Sequence, residues 1–333
     1  MRVAILGRTK IIYNTIREIE KQGKHEIVLI GTCKASPEYT VTEKDFECEA
    51  QRLGVPFFNN AKINSKEIQK LIADNQPDIG ISMNWLNVIG EDTIGLFKNG
   101  ILNAHPGDLP KYRGNACPNW AIINGENRIG ITIHYMIPGE LDSGNIVEKE
   151  YIKLDNESNI PEIYQKLEEI IPKLFIRALD MIENGSIYQV SQSRKAEDIL
   201  RCYPRKPEDS FIDWNKNITE IDRIVRGSGH PFHDAYCYYG IHKILVQECY
   251  VQNYDTKVLV IPGQVIMVDK INNKIGIAAK DGVVVLTKTR IEDEDMKITE
   301  LIASVRCRLN YSINDKINEL EKRIMKLEEK INE

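Results

Sequence analysis

Two polar side chains end a buried strand in the first half of the chain, and their types suit acid–base chemistry. The run 100–105 is apolar until it reaches Asn103 and His105, and a Pro-Gly pair then ends it. Alternate residues of a strand share a face, so both side chains point the same way. An amide can donate to an oxygen that gains charge, and an imidazole can give or take a proton near neutral pH. Asp142, in a downstream Leu-Asp-Ser-Gly turn, can pair with His105 and favour its cationic form. We predict a catalytic trio of Asn103, His105 and Asp142; the alternative is a buried polar cluster that ties a loop to the sheet.

The elements that must position this trio alternate between strand and helix. A strand at Val3–Leu6 precedes an apolar-periodic helix through Ile11–Ile19, and the pattern repeats as far as Met83. Such alternation predicts an α/β, Rossmann-like domain with a mostly parallel sheet covered on both faces. Ligands of such sheets bind beyond the carboxyl ends of the strands, where the trio falls. The turn after the first strand has one glycine of a GxGxxG motif, which argues against a dinucleotide-dependent dehydrogenase.

The composition and periodicity of the sequence change after this first domain. We assign residues 1–190 to the catalytic domain and the polar, proline-containing run 191–212 to a linker. Short strands separated by turn residues follow, one of them expected at Lys257–Ile261. This spacing predicts a small OB-like β-barrel over residues 213–310.

Residues 311–333 carry a heptad pattern and are predicted to form a coiled-coil helix. Its apolar positions step by four and three residues: Ile313, Ile317, Leu320, Ile324, Leu327 and Ile331. Isoleucine at a and mostly leucine at d favour two parallel strands, and cations at g face glutamates at e. The pattern predicts a homodimer; the alternative is an amphipathic helix that folds back on the barrel.

Charge and composition exclude several classes of protein. The net charge is 44 − 49 = −5, and residues 201–333 carry 21 basic and 21 acidic side chains, so no basic domain is present to favour nucleic acid. The seven cysteines form no CxxC pair and have no histidine at zinc-ligand spacing, so no metal is expected. Apolar runs never approach the roughly 18 residues of a membrane span, and no secretory cleavage pattern follows Met1. We expect a cytoplasmic protein without a membrane partner.

Several longer motifs carry a resemblance to a known family. The runs LNAHPGDLPKYRGNACPNWAIINGE (102–126), IGITIHYM (129–136) and LDSGNIV (141–147) resemble the formyltransferases that use 10-formyltetrahydrofolate. RKPEDSFIDW (205–214) resembles the carboxyl-terminal barrel domain of the methionyl-tRNA and sugar-nucleotide members. The resemblance covers residues 1 to about 290 and leaves the heptad tail outside it.

The resemblance implies roles for residues on both sides of the transferred formyl group. Asn103 would stabilise the oxyanion, and His105 with Asp142 would move the proton from the attacking amine. The folate would lie along 83–89 and the loop 139–142, contacted by Met83, Asn84, Trp85, Val88, Ile89, Gly139 and Leu141. Trp85 stands where relatives often carry tyrosine, and the plain alternative is that Trp85 and Ile89 belong to the core.

Two acceptors compete within this family. The neutral second half disfavours methionyl-tRNA, the alternative substrate. The sequences of the motifs resemble those of enzymes that formylate dTDP-4-amino-4,6-dideoxyglucose and similar nucleotide-linked amino sugars for surface polysaccharides. They leave open whether the nucleotide is dTDP or UDP. Arg8 and Lys10 could meet a pyrophosphate, and Tyr112 and Arg113 could stack on or clamp the nucleotide. The expected acceptor contacts are Arg8, Thr9, Lys10, Tyr112, Arg113, Asn119 and Trp120, with His134 nearby.

Overall fold

The structure, a computed structural model, describes residues 1–310, 317, 320–325 and 327–328. The chain forms two compact units, Met1–Arg205 and Lys206–Glu333. None of the helices described there is both long enough and apolar enough to cross a bilayer.

The first unit alternates strands and helices. Its strands are β1 (Arg2–Gly7), β2 (Glu26–Thr32), β3 (Phe57–Asn59), β4 (Ile79–Met83), β5 (Ile101–His105), β6 (Arg113–Gly114), β7 (Arg128–Tyr135), β8 (Ile146–Lys153) and β9 (Arg201–Cys202). Its helices are α1 (Lys10–Gln22), α2 (Glu43–Leu53), α3 (Lys66–Asn75), α4 (Glu91–Ile94), α5 (Cys117–Asn124) and α6 (Ile160–Glu183).

Seven of these strands form one sheet in the order β3-β2-β1-β4-β5-β7-β8. β1 to β5 pair in parallel, whereas β5–β7 and β7–β8 pair antiparallel. Alternate residues of β1 enter different cores, with Val3 and Ile5 in one apolar cluster and Ala4 and Leu6 in another. Both faces of the sheet are therefore covered, and the prediction of a mostly parallel α/β sheet is confirmed.

The second unit contains an antiparallel sheet. Its strands are β10 (Ala235–Tyr239), β11 (His242–Asn253), β12 (Val265–Asp269), β13 (Lys274–Ala278) and β14 (Gly282–Ile291), in the order β10-β11-β14-β13-β12, with helices α7 (Ile218–Arg226) and α8 (Ile298–Leu301). Closure into a barrel stays a prediction. The strand expected at Lys257–Ile261 is wrong: this segment is irregular, and Leu259 is fully exposed, so its apolar residues form no face that a sheet buries.

The heptad tail is described only in part. Residues 320–325 are helical, and Ile317, Leu320, Ile324 and Leu327 are each about half exposed. Ile313 and Ile331 lie outside the described residues. The coiled coil and the homodimer stay predictions.

Candidate active site

The end of β5 places Asn103 next to a histidine on the neighbouring strand. The antiparallel pairing of β5 with β7 sets His134 opposite Asn103, and Asn103 Nδ2 lies 3.2 Å from His134 Nε2. His134 Nδ1 is 2.9 Å from the carbonyl of Tyr135, which can only accept, so Nδ1 carries a proton. The contact with Nε2 of His134 fixes the direction in which the Asn103 amide points.

Asp142 lies between two imidazoles. Its Oδ2 is 3.6 Å from His105 Nδ1, its Oδ1 is 3.6 Å from His134 Nε2, and the Gly114 N–H donates to Oδ2 over 2.9 Å. Asp142 and both histidines are at most 7% exposed. The structure therefore brings the three residues predicted from the sequence into one cluster, with His134 as the link between Asn103 and Asp142.

The loop that carries Asp142 is held in an unusual conformation. Asp142 has φ 52°, in the left-handed region, and a Cβ on Gly144 would lie 1.8 Å from the carbonyl oxygen of Tyr135. Gln192 Nε2 donates to the carbonyls of Asp142 (3.0 Å) and Gly144 (2.8 Å). Gln192 lies in the segment that the sequence assigned to a linker, and no motif marked it as part of the site.

The surroundings of Asp142 and His105 lower the pKa of both groups, which leaves an ionised acid next to a neutral base. Burial raises the pKa of the Asp142 carboxyl, but the two imidazoles and the Gly114 N–H outweigh it and bring that pKa to about 2. Burial lowers the pKa of His105 below its ordinary 6.5, more than the Asp142 charge raises it. At neutral pH Asp142 is thus ionised and His105 is neutral: the charge of Asp142 favours the cationic form of His105, but burial opposes that form more strongly.

His105 is held through its second ring nitrogen. Nε2 lies 2.6 Å from the carbonyl oxygen of Tyr112, so the neutral ring carries its proton there and Nδ1 is free to take another. A proton that arrives at Nδ1 faces the Asp142 carboxylate. The pair can therefore accept a proton as a unit.

Tyr112 contributes its backbone rather than its ring to this arrangement. Its side chain is 5% exposed, its hydroxyl donates to Glu126 Oε1 over 2.6 Å, and Asn124 Nδ2 donates to that hydroxyl over 3.0 Å. The ring therefore anchors the loop inside the core, and it does not offer the stacking surface predicted from the sequence.

Arg113 is a buried cation beside another cation. It is 6% exposed, and its Nε and Nη2 donate to Gln192 Oε1 over 3.2 and 2.7 Å. The β6–β9 pairing sets Arg201 directly beside it. Across the residues that the structure describes, no carboxylate pairs with either guanidinium. Burial, and next the charge of Arg201, lower the pKa of Arg113.

The turn after β1 holds its basic residues in different ways. Arg8 donates to the carbonyls of Asn84 (2.9 Å) and Lys34 (3.1 Å) and lies over the ring of Tyr39. Lys10 pairs with Glu168 at 2.7 Å. Thr9 is buried at the start of α1. Of the three, Arg8 is the one held by neutral groups at the carboxyl ends of the parallel strands.

Helix α5 carries the other two expected acceptor contacts. Asn119 is 3% exposed. Trp120 donates from Nε1 to the carbonyl of Tyr203 over 2.9 Å, and the guanidinium of Arg205 lies 5.8 Å from the centre of the Trp120 indole. These contacts tie α5 to the segment around β9.

In the segment 83–89, which is expected to hold the folate, the first and last residues are buried and two apolar side chains between them are exposed. Met83 and Ile89 are each 2% exposed, whereas Leu86 and Val88 are 49% and 64% exposed. Trp85 packs edge-on against Phe58, and within the described part of the chain its buried indole N–H has no acceptor. Leu86 and Val88 are therefore available to a ligand, whereas Met83 and Ile89 are not.

The flanking residues of this expected folate site lie on turns. Asn84 has φ 56° and is exposed at the end of β4, and Gly139 has φ 74° with open space around it. Leu141, next to Asp142, is 49% exposed. Leu141 thus adds a third exposed apolar side chain, next in sequence to Asp142.

Comparison with protein families assigns both units. Residues 1–179 match the model of the family described as formyl transferase, and residues 205–306 match that of the formyl transferase C-terminal domain. The chain belongs to the formyl transferase family, and its first unit is the formyltransferase domain.

Solved structures of three kinds share this fold at low identity. A sugar 3N-formyltransferase, WlaRD, determined in the presence of dTDP and 5-N-formyl-THF, is 18% identical, covers 89% of this chain and 99% of its own, and has a TM-score of 0.65. HypX from Aquifex aeolicus in complex with tetrahydrofolic acid is 17% identical with a TM-score of 0.61; the match covers 92% of this chain and 47% of HypX, so this chain spans about half of that protein's length. Methionyl-tRNA formyltransferase from Clostridium thermocellum is 16% identical over 88% of this chain and 100% of its own, with a TM-score of 0.55. At these identities the likeness shows the fold.

Proposed function

We propose that this chain transfers a formyl group from 10-formyltetrahydrofolate to the amino group of a nucleotide-linked amino sugar. The observation that carries the choice of acceptor is the pair of neighbouring arginines Arg113 and Arg201, which have no carboxylate partner among the described residues. Arg113 shares Gln192 with the Asp142 loop. The family match and the WlaRD likeness support the proposal. Among such sugars we favour dTDP-4-amino-4,6-dideoxyglucose, a building block for surface polysaccharide.

The cluster supplies the proton chemistry of this reaction. The attacking amine must lose a proton, and the formyl oxygen gains negative charge as the amine adds to the carbon. His105 Nδ1 accepts the proton, and Asp142 stabilises the imidazolium that results. Asn103 donates to the oxygen with the amide hydrogen that His134 leaves free. A donor of this kind contributes about 10²–10³ in turnover.

The folate is the donor of the formyl group, and the residues at the β4 edge fit it in part. Leu86, Val88 and Leu141 offer exposed apolar surface to a flat ring system, and the Trp85 N–H is a buried donor without an acceptor among the described residues. Met83 and Ile89 lie underneath and support the segment.

The two arginines suit a doubly charged phosphate group. Like charges side by side repel each other, and an anion between them removes the repulsion while forming charge-assisted hydrogen bonds. The diphosphate of a nucleotide sugar supplies such an anion and, unlike tRNA, needs no extended basic surface. Arg8 stands at the same edge of the sheet as β5 and provides a further guanidinium.

A coupled assay with a panel of acceptors tests the proposal. The protein receives 10-formyltetrahydrofolate with dTDP- or UDP-linked 3-amino and 4-amino sugars, or with methionyl initiator tRNA. We expect one amino sugar to be formylated and the tRNA to remain unchanged. Formylation of tRNA alone, or of no acceptor, would refute the proposal.

Variants of the arginines test the phosphate contact. Arg201→Ala should raise the KM for the sugar nucleotide about tenfold or more and leave the KM for the folate unchanged. Lys195→Ala, which removes an exposed cation from the same segment, is the matched control. Equal changes in both Michaelis constants, or the same effect in the control, would contradict the assignment.

The same proposal extends to assembly. We propose that residues 311–333 form a parallel two-stranded coiled coil and that the chain works as a homodimer. The exposed apolar positions at 317, 320, 324 and 327 support it, because a helix with an unpaired apolar stripe gains stability from a second copy.

A further inference from the structure

Two cysteine thiols lie against each other beside the catalytic histidine. The β6–β9 pairing sets Gly114 opposite Cys202, and Cys117 follows three residues later as the first residue of α5. The two thiols interact with each other, and this contact raises the pKa of Cys117 and lowers that of Cys202. Cys117 is 2% and Cys202 8% exposed, and neither takes part in the formyl transfer proposed above.

Cys117 also touches the group that positions His105. Its Sγ lies 3.0 Å from the carbonyl oxygen of Tyr112, to which the thiol can donate, and 3.7 Å from His105 Nε2. His105 donates to that same oxygen. A chemical change at the Cys117 sulfur therefore acts within one contact of the catalytic imidazole.

We propose that Cys117 and Cys202 are a site of reversible oxidation, and that a disulfide between them lowers the turnover of the enzyme. With hydrogen peroxide as the oxidant, two thiols and one peroxide give one disulfide and two waters. Each sulfur loses one electron and its proton, and the O–O bond breaks.

The order of the two steps follows from the contact between the thiols. The contact with Cys117 lowers the pKa of Cys202, so Cys202 is the better nucleophile and attacks the peroxide to form a sulfenic acid. Cys117 then displaces water from that sulfur. None of the other five cysteines has a second thiol at hydrogen-bonding distance in the part of the chain that the structure describes, so they have no partner for this second step.

The disulfide would disturb the site because its bond is short. An S–S bond is about 2.05 Å long, which is shorter than the separation of two thiols in contact, so the two sulfurs must move towards each other. Cys117 Sγ then has no hydrogen to donate to the Tyr112 carbonyl, and the start of α5 is tied covalently to β9. A displacement of about 1 Å at a catalytic group can cost a hundredfold in rate.

The test combines thiol counting with activity on the full chain. After treatment with hydrogen peroxide and quenching, thiols are titrated in denaturant, and the disulfide-linked peptides are identified by mass spectrometry. We expect seven thiols to fall to five, a single linkage between Cys117 and Cys202, and a loss of at least tenfold in turnover that dithiothreitol restores.

Serine variants identify the residues responsible. Cys202→Ser should retain its turnover after peroxide, and Cys237→Ser, which removes an equally buried cysteine of the other unit, should be inhibited like the wild type. Cys117→Ser provides a second resistant variant. Seven remaining thiols, a linkage between other cysteines, or full inhibition of Cys202→Ser would overturn the proposal. The peptide map needs no substrate, so it decides whether the bond forms even if the proposed acceptor is wrong.

Discussion

Replacing Asp142 by asparagine should remove a pH-dependent part of the stability. The folded pKa of this carboxyl is about 2 against an ordinary 3.8, and 1.8 pKa units correspond to about 2.4 kcal/mol. Because the folded pKa is the lower one, this stabilisation is present above about pH 4 and is lost as the pH falls towards 2. At pH 3 the wild type should already have lost about 1 kcal/mol of it. Asparagine keeps the size of the side chain and an oxygen for the Gly114 N–H but carries no charge.

Urea unfolding of the wild type and of Asp142→Asn at pH 6 and pH 3 measures this contribution. The difference in the free energy of unfolding should shrink by about 1 kcal/mol at the lower pH. Asp74→Asn, at an exposed carboxylate, is the control and should show no such change. A difference that stays constant, or that grows on acidification, would show that the folded protein does not hold the pKa of this carboxyl below its ordinary value.

Four further predictions concern the site and the assembly. His105→Ala should lower kcat by about 10²–10⁴ while the far-UV circular dichroism stays unchanged; a near-normal rate would remove His105 from the mechanism. Because burial lowers the pKa of His105, kcat/KM for the wild type should be constant near neutrality and fall only below pH 6.5; an acid limb above 6.5 would contradict the neutral base. Gly144→Ala, which forces a methyl against the Tyr135 carbonyl, should lower Tm more than Gly23→Ala, where only the left-handed backbone (φ 66°) opposes the methyl. A chain truncated after Asn310 should sediment as a monomer; a dimer would refute the coiled-coil interface.

The sheet and the strand-end residues could be predicted because they depend on short-range patterns. Alternation of apolar strands and periodic helices is sufficient to indicate an α/β sheet, and a spacing of two along β5 is sufficient to align Asn103 with His105. The irregular segment at Lys257–Ile261 shows the limit of this reasoning. An apolar run predicts a strand only if a neighbouring strand is available to pair with it. The local sequence does not show whether such a neighbour exists.

The remainder of the site depends on contacts between distant parts of the chain. His134 meets Asn103 only because β7 pairs antiparallel with β5 in one particular register, which no local pattern specifies. The side chain of Tyr112 faces the core because its hydroxyl donates to Glu126 and accepts from Asn124. A motif identifies such residues as candidates, but it does not say whether the ring or the carbonyl performs the task.

Residues 191–205, which the sequence assigned to a linker, belong to the first unit and contact the candidate site. Gln192 holds the backbone of the Asp142 loop with its amide nitrogen and the buried guanidinium of Arg113 with its amide oxygen. Arg201 and Cys202 then reach β6 through the short β9 pairing, next to the Gly114 N–H that binds Asp142. Each of these contacts fixes the carboxylate relative to His105. A polar, proline-containing sequence therefore predicts the absence of a core of its own, but it does not exclude a direct role in positioning the acid of the site.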